Sequence, residues 1–191
     1  MFLMNSFLKA TGFTHFLLEK FLRSGEIVID ATVGNGYDTL FLAQAVGASG
    51  LVYAFDIQEN ALQKTKILLE KNNCLQQVNL IHDGHEKISQ YVREPVAAII
   101  YNLGYLPGGN KEIITKGETT LLSLQQGMEL LSSGGIISLI VYPGHPGGKK
   151  EADLLEQYLT SLSPRIWQVM KWSRVNGDRV KAPCFLCLHK S

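Results

Sequence analysis

Residues 28–39 have the sequence Val28-Ile29-Asp30-Ala31-Thr32-Val33-Gly34-Asn35-Gly36-Tyr37-Asp38-Thr39, which predicts a short strand, a glycine turn and the beginning of a helix. The strand is apolar and β-branched, as expected for one that is buried on both faces. The two glycines can adopt backbone angles that are closed to other residues, and they let a ligand approach the main chain. The helix begins with free amide groups, which suit a polar ligand. The stretch therefore predicts a βα unit with a ligand site at its turn.

The acidic residue Asp30 narrows the choice of ligand. Nicotinamide-binding domains carry a G-x-G-x-x-G turn at this place, but the third glycine position here holds Thr39. A carboxylate before the glycines disfavours a pyrophosphate and favours a cationic amino-acid ligand, because an ammonium group needs an anionic partner. Asp30-x-x-x-Gly34-x-Gly36 thus resembles motif I of the class I S-adenosylmethionine (SAM)-dependent methyltransferases. A purely structural βα turn is the alternative.

Length and composition favour a globular intracellular protein. The 191 residues, of which 46% are hydrophobic, suffice for one α/β domain over residues 1–191. No apolar run reaches the roughly 18 residues of a membrane span. The N-terminus lacks the basic start and small-residue cleavage site of a signal peptide. The three cysteines are an odd count, which argues against a disulfide framework and for a reducing cytoplasm.

Cys184 and Cys187 have C-x-x-C spacing within an apolar run that predicts a strand. Residues three apart on a strand face opposite sides, and zinc would need further ligands for which no second cysteine pair exists. We expect two buried structural cysteines and no metal site.

The remaining pattern predicts a doubly wound, mostly parallel sheet with an antiparallel terminal strand. An N-terminal amphipathic helix is predicted over about residues 5–23, with Gly12 as a candidate break and its aromatic residues in the core. Helices are also predicted up to residue 46 and over residues 59–72, 111–131 and 151–162. Strands are predicted over residues 27–29, 51–55, 78–81, 96–100, 136–141, 167–172 and 183–189. An Asn-Gly signal predicts a hairpin connection over residues 174–181.

Polar residues after the second and third strands are candidates for cofactor binding. Asp56 closes the second strand, where a carboxylate usually accepts hydrogen bonds from ribose hydroxyls. Ile57 and Gln58 would lie along an adenine edge. Asp83 follows the third strand and would accept a hydrogen bond from an adenine amino group. His85 fits equally well as a wall of this pocket or as a helix-start residue.

A second informative stretch, Asn102-Leu103-Gly104-Tyr105-Leu106-Pro107, follows the fourth strand. A doubly wound sheet places its chemistry at the carboxyl ends of its strands. Amino-group methyltransferases carry here an Asn or Asp, a proline pair and an aromatic residue, which orient the target nitrogen. Asn102 and Tyr105 form a variant of that pattern without the proline pair. A polar loop with a turn is the alternative.

The C-terminal part of the chain carries an excess of positive charge. Residues 1–142 contain 10 Lys and Arg against 13 Asp and Glu, whereas residues 143–191 contain 8 against 4. The loop after the fifth strand, residues 142–150, holds Tyr142, His145, Lys149 and Lys150 near the same sheet edge as Asn102. This half is the candidate surface for a phosphate-bearing partner.

The blocks around Asp30, Asp56, Asn102 and Tyr142 together resemble the MnmM family of tRNA methyltransferases, small bacterial proteins once labelled rRNA methylases. The resemblance covers essentially the whole chain. It implies SAM-dependent methylation of the 5-aminomethyl group of 5-aminomethyl-2-thiouridine at the tRNA wobble position, in the cytoplasm. It also implies an anticodon stem-loop as partner; a homodimer is plausible.

The resulting site prediction has three parts. We expect catalytic or orienting roles for Asn102, Tyr105 and Asp38, with the Leu103–Tyr105 backbone assisting and Tyr142 and His145 as weaker candidates for deprotonating the amine. Cofactor binding is predicted for Asp30, Thr32, Gly34, Asn35, Gly36, Asp38, Thr39, Asp56, Ile57, Gln58, Asp83, Gly84, His85 and Asn102. Substrate binding is predicted for Tyr105, Tyr142, His145, Lys149, Lys150, Arg174, Arg179 and Lys181.

Other classes of function remain as alternatives. They are a methyltransferase acting on rRNA or on a small-molecule or protein amine, a nicotinamide oxidoreductase, and a non-catalytic RNA-binding module. Asp30 and Thr39 disfavour the oxidoreductase.

Overall fold

The protein, described here from a computed structural model, folds into a seven-stranded sheet flanked by helices. The structure describes residues 10–106, 108, 113–174, 176 and 182–191. The helices are α1 (Ala10–Phe21), α2 (Tyr37–Val46), α3 (Glu59–Lys71), α4 (Ile88–Tyr91), α5 (Gly117–Leu130) and α6 (Gly148–Thr160). The strands are β1 (Ile27–Asp30), β2 (Leu51–Asp56), β3 (Val78–His82), β4 (Val96–Asn102), β5 (Leu131–Val141), β6 (Trp167–Ser173) and β7 (Cys184–Lys190).

The strand order is β3-β2-β1-β4-β5-β7-β6. Strands β1 to β5 pair in parallel, and β7 runs antiparallel to both β5 and β6. The predicted fold class is therefore confirmed. The strand order reverses at β1, so the carboxyl ends of β1 and β4 flank the crevice where such sheets bind ligands.

The core lies on both faces of this sheet. Ile29, Ile99 and Ile137 are buried on one face, and Val28, Ile100 and Ile140 on the other. Cys184 packs on the first face and Cys187 on the second, as the strand periodicity predicted, and both thiols are free. Within the described ranges, no group of three or more His, Cys, Asp or Glu residues could hold a metal ion.

The first helix differs from the prediction. It continues through Gly12 without a break, and residues 5–9 lie outside the described part of the chain. Phe16 and Phe21 are 48% and 45% exposed, so they are not core residues as predicted, whereas Phe13 packs against the core beside Phe185. The buried residues are Thr14 and Leu18. The Thr14 hydroxyl lies 3.1 Å from that of Ser138 on β5, because a small side chain lets the helix approach the sheet closely.

Two boundaries around α5 also require correction. The helix begins at Gly117 rather than near residue 111, since residues 113–115 pair instead with the loop after β4. Strand β5 begins at Leu131, which pairs with Val96, and the register then shifts before Ile136 pairs with Ala98.

The other predicted elements lie within a few residues of their predicted ranges, and the short helix α4 was not predicted. Most of the predicted hairpin connection, at residues 175 and 177–181, lies outside the described residues. No helix in the described ranges is long and apolar enough to cross a membrane.

Candidate active site

A cavity of about 850 Å³ opens at the carboxyl ends of the parallel strands. Its volume lies within the range of about 300–1,000 Å³ that is typical of small-molecule sites. Most of the predicted site residues line it, namely Thr32, Gly34, Asn35, Asp38, Asp56, Ile57, Gln58, Asp83, Gly84, His85, Asn102, Tyr105, Tyr142 and His145.

The two glycines of the turn have different roles. Both have positive φ, +55° at Gly34 and +79° at Gly36. Gly34 lines the cavity, whereas Gly36 does not. A Cβ at Gly36 would lie 2.4 Å from the Thr65 hydroxyl on α3. Gly36 is therefore required by the packing of α3 against the turn, and its predicted contact with a cofactor stays a prediction.

Asp30 and Thr39 lie behind the cavity wall. Asp30 is fully buried, and its carboxylate accepts hydrogen bonds from the Thr39 hydroxyl (2.6 Å) and the Thr32 amide (3.1 Å). Burial and the charge of Asp38 raise the pKa of Asp30 to about 7. Neither Asp30 nor Thr39 lines the cavity. The structure thus places Asp30 behind the cavity wall, where it shapes the turn, and its contact with a ligand ammonium stays a prediction.

Hydrogen bonds to Asp56 connect the glycine turn to the end of β2. Its carboxylate accepts hydrogen bonds from the backbone amides of Gly34 (2.9 Å) and Gln58 (2.8 Å). Burial raises the pKa of Asp56 although these bonds oppose the shift. The side chain still lines the cavity, and each carboxylate oxygen can accept more than one hydrogen bond. Asp56 is thus positioned to accept further bonds from a polyhydroxyl ligand.

The end of β3 presents a charged and a neutral residue. Asp83 accepts hydrogen bonds from Lys87 (2.7 Å) and Tyr91 (2.8 Å), which lower the pKa of Asp83 to about 2. Burial lowers the pKa of His85 to about 4, so its ring is neutral near pH 7. Its buried Nδ1 has no hydrogen-bond partner in the described chain. The cavity therefore holds an unpaired polar atom at the predicted adenine end.

Asn102 is held by two neighbours at the end of β4. Its backbone amide donates to the Thr32 hydroxyl (2.7 Å), and its side-chain Nδ2 donates to Asp38 Oδ2 (3.2 Å). Since a carboxylate only accepts, the amide nitrogen faces Asp38 and the amide oxygen remains available as an acceptor. Asp38 also contacts His15 Nε2 at 2.6 Å.

The loop after Asn102 is anchored to residues that the sequence did not single out. The Gly104 amide donates to the Thr115 hydroxyl (2.9 Å), and that hydroxyl donates to Glu151 (3.0 Å). Glu151 is 1% exposed, and burial raises its pKa. The Thr115 amide in turn donates to the Gly104 carbonyl at 3.0 Å. These bonds fix the backbone between Asn102 and Tyr105.

His145 offers a free ring nitrogen beside this loop. Its Nδ1 lies 2.9 Å from the Pro146 carbonyl, which can only accept, so Nδ1 carries a proton. Nε2 is then the ring nitrogen that can act as an acceptor, and it is buried without a partner among the described residues. Tyr142 differs, because burial and the Asp38 charge raise its pKa and keep the phenol protonated.

The predicted phosphate-binding residues do not gather at the cavity. Lys149 and Lys150 are exposed and pair with Asp153 and Glu118, respectively. Arg174 is exposed and does not line the cavity, and the predictions for Arg179 and Lys181 fall outside the described residues.

The structure instead brings Thr11, His15, Thr115, Lys116 and Thr119 to the cavity wall. They come from α1, from the segment before α5 and from the first turn of α5. A helical spacing of four between Thr11 and His15 was the only sequence signal for any of them.

Together these features fit an elongated ligand with a polar and a ring-bearing end. Glycine backbone and Asp56 line the centre, while neutral His85 and the exposed side chain of Ile57 flank one end. The other end has Asp38 and Asn102. A sheet of this order with a site of this kind defines the class I SAM-dependent methyltransferases.

Comparison with known proteins identifies the family within this class. Residues 52–190 match the family model described as "Putative rRNA methylase". The chain belongs to this family.

A curated relative, "tRNA (mnm(5)s(2)U34)-methyltransferase, chloroplastic" of Arabidopsis thaliana, is 40% identical over 95% of this chain and 69% of its own length. A crystal structure described as an rRNA methylase, from Clostridium thermocellum, superposes with a TM-score of 0.93 at 38% identity, covering 96% of this chain and 98% of the other.

A methyltransferase of Streptococcus mutans, solved in complex with SAH, gives a TM-score of 0.86 at 38% identity with the same coverage.

Proposed function

We propose that this protein transfers a methyl group from SAM to the 5-aminomethyl group of 5-aminomethyl-2-thiouridine at the wobble position of tRNA. The product is 5-methylaminomethyl-2-thiouridine. The substrate assignment rests on the similarity to the Arabidopsis relative. The name of that relative specifies this nucleoside, and the match covers 95% of the chain. The cavity supports the chemistry, because its polar end contains acceptors and a carboxylate suited to an amine.

The residues at the cavity centre would hold the cofactor. Asp56 would accept hydrogen bonds from the ribose, Ile57 and His85 would flank the adenine, and the Gly34 backbone would lie against the amino-acid part. When bound, SAM supplies an electrophilic methyl group on a positively charged sulfur.

The target amine must be oriented before it can accept the methyl group. Asn102 Oδ1 and the Leu103 carbonyl, which accepts no hydrogen bond from the described part of the chain, would accept the two amine hydrogens. The nitrogen lone pair then points away from both acceptors. Such orientation of reactants can contribute about 7–11 kcal/mol to lowering a barrier.

The amine must also lose a proton, since an ammonium group has no lone pair. The Asp38 carboxylate would attract the ammonium into the site. The free Nε2 of His145 would then accept the proton: the N–H bond breaks, its electron pair stays on the amine nitrogen, and the imidazole becomes imidazolium. The Pro146 carbonyl would stabilise that cation through Nδ1.

The RNA partner in this proposal is the anticodon stem-loop. Tyr105 lines the cavity and is 42% exposed, so its ring could stack on an unpaired base, as single-stranded RNA recognition requires. Lys116 lines the cavity and has no ion pair within the described ranges, which makes it the first candidate for a backbone phosphate.

Two further parts of the proposal concern the cellular location and the oligomeric state of the protein. We propose a cytoplasmic location, which suits three free cysteines, and a homodimer, which sedimentation at several protein concentrations would test.

Methyl transfer from labelled SAM to separated RNA classes tests the proposed function. The RNA is taken from cells that lack the modification, and bulk tRNA, ribosomal RNA and a mixture of small amines are assayed side by side. The proposal expects label in tRNA alone. Label in ribosomal RNA or in an amine would assign the alternative substrates, and no label with SAM still bound would contradict the proposed RNA substrate.

A further inference from the structure

Helix α1 forms part of the active-site wall, although the residues matched by the family model begin only at residue 52. Thr11 and His15 lie one helical turn apart, and both line the cavity. The helix is fixed on the sheet by buried Thr14 and Leu18. The backbone of the helix therefore holds His15 in a fixed position at the cavity wall.

His15 is held in one orientation by two contacts. Its ring stacks on Phe41 of α2, with centroids 4.1 Å apart and an interplanar angle of 5°. Its Nε2 lies 2.6 Å from Asp38 Oδ1. The side chain is 31% exposed and that of Asp38 is 11% exposed, so water screens this contact only in part.

Asp38, which His15 contacts, also holds the side chain of Asn102. Its second oxygen, Oδ2, accepts the hydrogen bond from Asn102 Nδ2 at 3.2 Å. That distance is at the long end of the range for N–H···O bonds, so the bond alone fixes the carboxylate weakly. The short contact with His15 is the stronger constraint on the Asp38 rotamer.

We infer that His15 is a positioning residue for methyl transfer: acting through Asp38, it holds the Asn102 amide with its oxygen available to the target amine. The inference rests on the proposed function. It assigns a role to helix α1, which lies outside the sequence motifs described above. His15 does not touch the reacting atoms in this scheme.

The groups around Asp38 explain why His15 is needed. Asp30 on β1 and Tyr142 after β5 lie close enough to Asp38 for its charge to raise the pKa of each of them. Without His15, an ionised Asp38 would keep only the Asn102 donor. A carboxylate held by one long hydrogen bond can rotate away. The Asn102 amide would then lose the contact that keeps its oxygen available to the amine.

Two substitutions separate the hydrogen bond from the ring. His15→Phe keeps a ring that can stack on Phe41 and removes the donor to Asp38. His15→Gln restores a side-chain N–H. Glu19→Gln, an exposed position on the same helix, is the matched control. Each variant is assayed for kcat and KM with tRNA, for the Kd of SAM, and for the NMR signals of the Asn102 side-chain amide, which are assigned by their loss in Asn102→Asp.

We expect His15→Phe to lower kcat roughly 10- to 100-fold, as for a small misplacement of reacting groups, with the SAM Kd and the KM for tRNA little changed. The Asn102 amide signals should move in His15→Phe and return towards their wild-type positions in His15→Gln, along with part of kcat. Unchanged kcat and unmoved signals would overturn the inference, as would a raised KM with intact kcat.

The NMR readout also separates this inference from the proposed function. If the wild-type protein methylates no tRNA, the proposed substrate fails, but the Asn102 signals still test whether His15 positions the amide. If the wild type is active and the Asn102 signals do not respond to His15→Phe, the inference fails and the proposed function stands.

Discussion

Asn102 carries the most specific chemical assignment in the molecule. It lies at the end of β4, its Nδ2 bonds to Asp38, and its oxygen is available to an incoming amine. The predicted cofactor contacts lie elsewhere, with Asp56 at the end of β2 and His85 after β3.

We therefore expect Asn102→Ala to lower kcat by about 100-fold or more while the Kd of SAM changes little. Isothermal titration calorimetry and single-turnover methyl transfer measure the two quantities. Turnover that survives unchanged would show that Asn102 is not the orienting group.

The buried carboxyl group of Asp30 leads to a prediction about how stability depends on pH. Burial and the charge of Asp38 raise its pKa to about 7 from an ordinary value of 3.8. Between these values the folded protein keeps a proton that the unfolded chain has lost, so the free energy of unfolding falls as pH rises from about 4 to about 7. The expected loss is on the order of 4 kcal/mol. In Asp30→Asn that part of the pH dependence should vanish.

Urea unfolding of both proteins at several pH values measures this difference. The comparison between the two proteins removes contributions from other groups, such as Asp83, whose lowered pKa acts at more acidic pH. Parallel curves for the two proteins would contradict the assignment.

The turn between β1 and α2 depends on a glycine for packing as well as for φ. Gly36 and Gly134 have nearly equal φ, +79° and +78°, but only Gly36 faces another side chain. We expect Gly134→Ala to lower the free energy of unfolding by about 1 kcal/mol and Gly36→Ala by roughly 2 kcal/mol more, because the added methyl overlaps Thr65. Chemical denaturation of the two variants measures the difference. Equal losses would mean that φ alone requires the glycine.

The loop after β4 depends on Thr115. Thr115→Val removes the acceptor for the Gly104 amide and one of the donors to Glu151, so unfolding should become easier by about 1–3 kcal/mol. Methyl transfer should fall as well, because Tyr105 and Asn102 flank the loosened backbone. Thr160→Val, which breaks only bonds within α6, is the control. A stability loss without loss of turnover would show that the loop is ordered by other contacts.

At the scale of the whole molecule, the small net charge of +1 gives no general attraction for RNA, so binding must come from local contacts. Lys116→Ala should reduce the salt dependence of tRNA binding by about one phosphate contact. Lys149→Ala should change it less, because Lys149 is already paired with Asp153. Filter binding over a range of salt concentrations distinguishes the two lysines, and identical slopes would contradict the role of Lys116.

Much of this architecture follows from local sequence. Strand β1, the glycine turn, Asp56 and Asn102 were predictable because each lies at a fixed offset from an apolar run. The packing roles of Asp30 and Gly36 were not predictable, because they depend on contacts with Thr39 and Thr65 that the spacing of the turn does not reveal.

The contacts that complete the site join distant parts of the chain. His15 and Asp38 are 23 residues apart, and Thr115 and Glu151 are 36 apart. No local pattern encodes such pairs. The core prediction for the aromatic residues of α1 was wrong for Phe16 and Phe21, which are exposed, because the side of the helix with Thr14 and Leu18 packs on the sheet; Phe13 does pack against the core.

The nucleoside that gains the methyl group tests the central claim most directly. Hypomodified tRNA is incubated with the protein and SAM, digested, and analysed by nucleoside mass spectrometry. The proposal predicts that 5-aminomethyl-2-thiouridine disappears and 5-methylaminomethyl-2-thiouridine appears in equal amount, and that Asn102→Ala abolishes the conversion. A methyl group on any other nucleoside, or on a carbon or oxygen atom, would contradict the proposal.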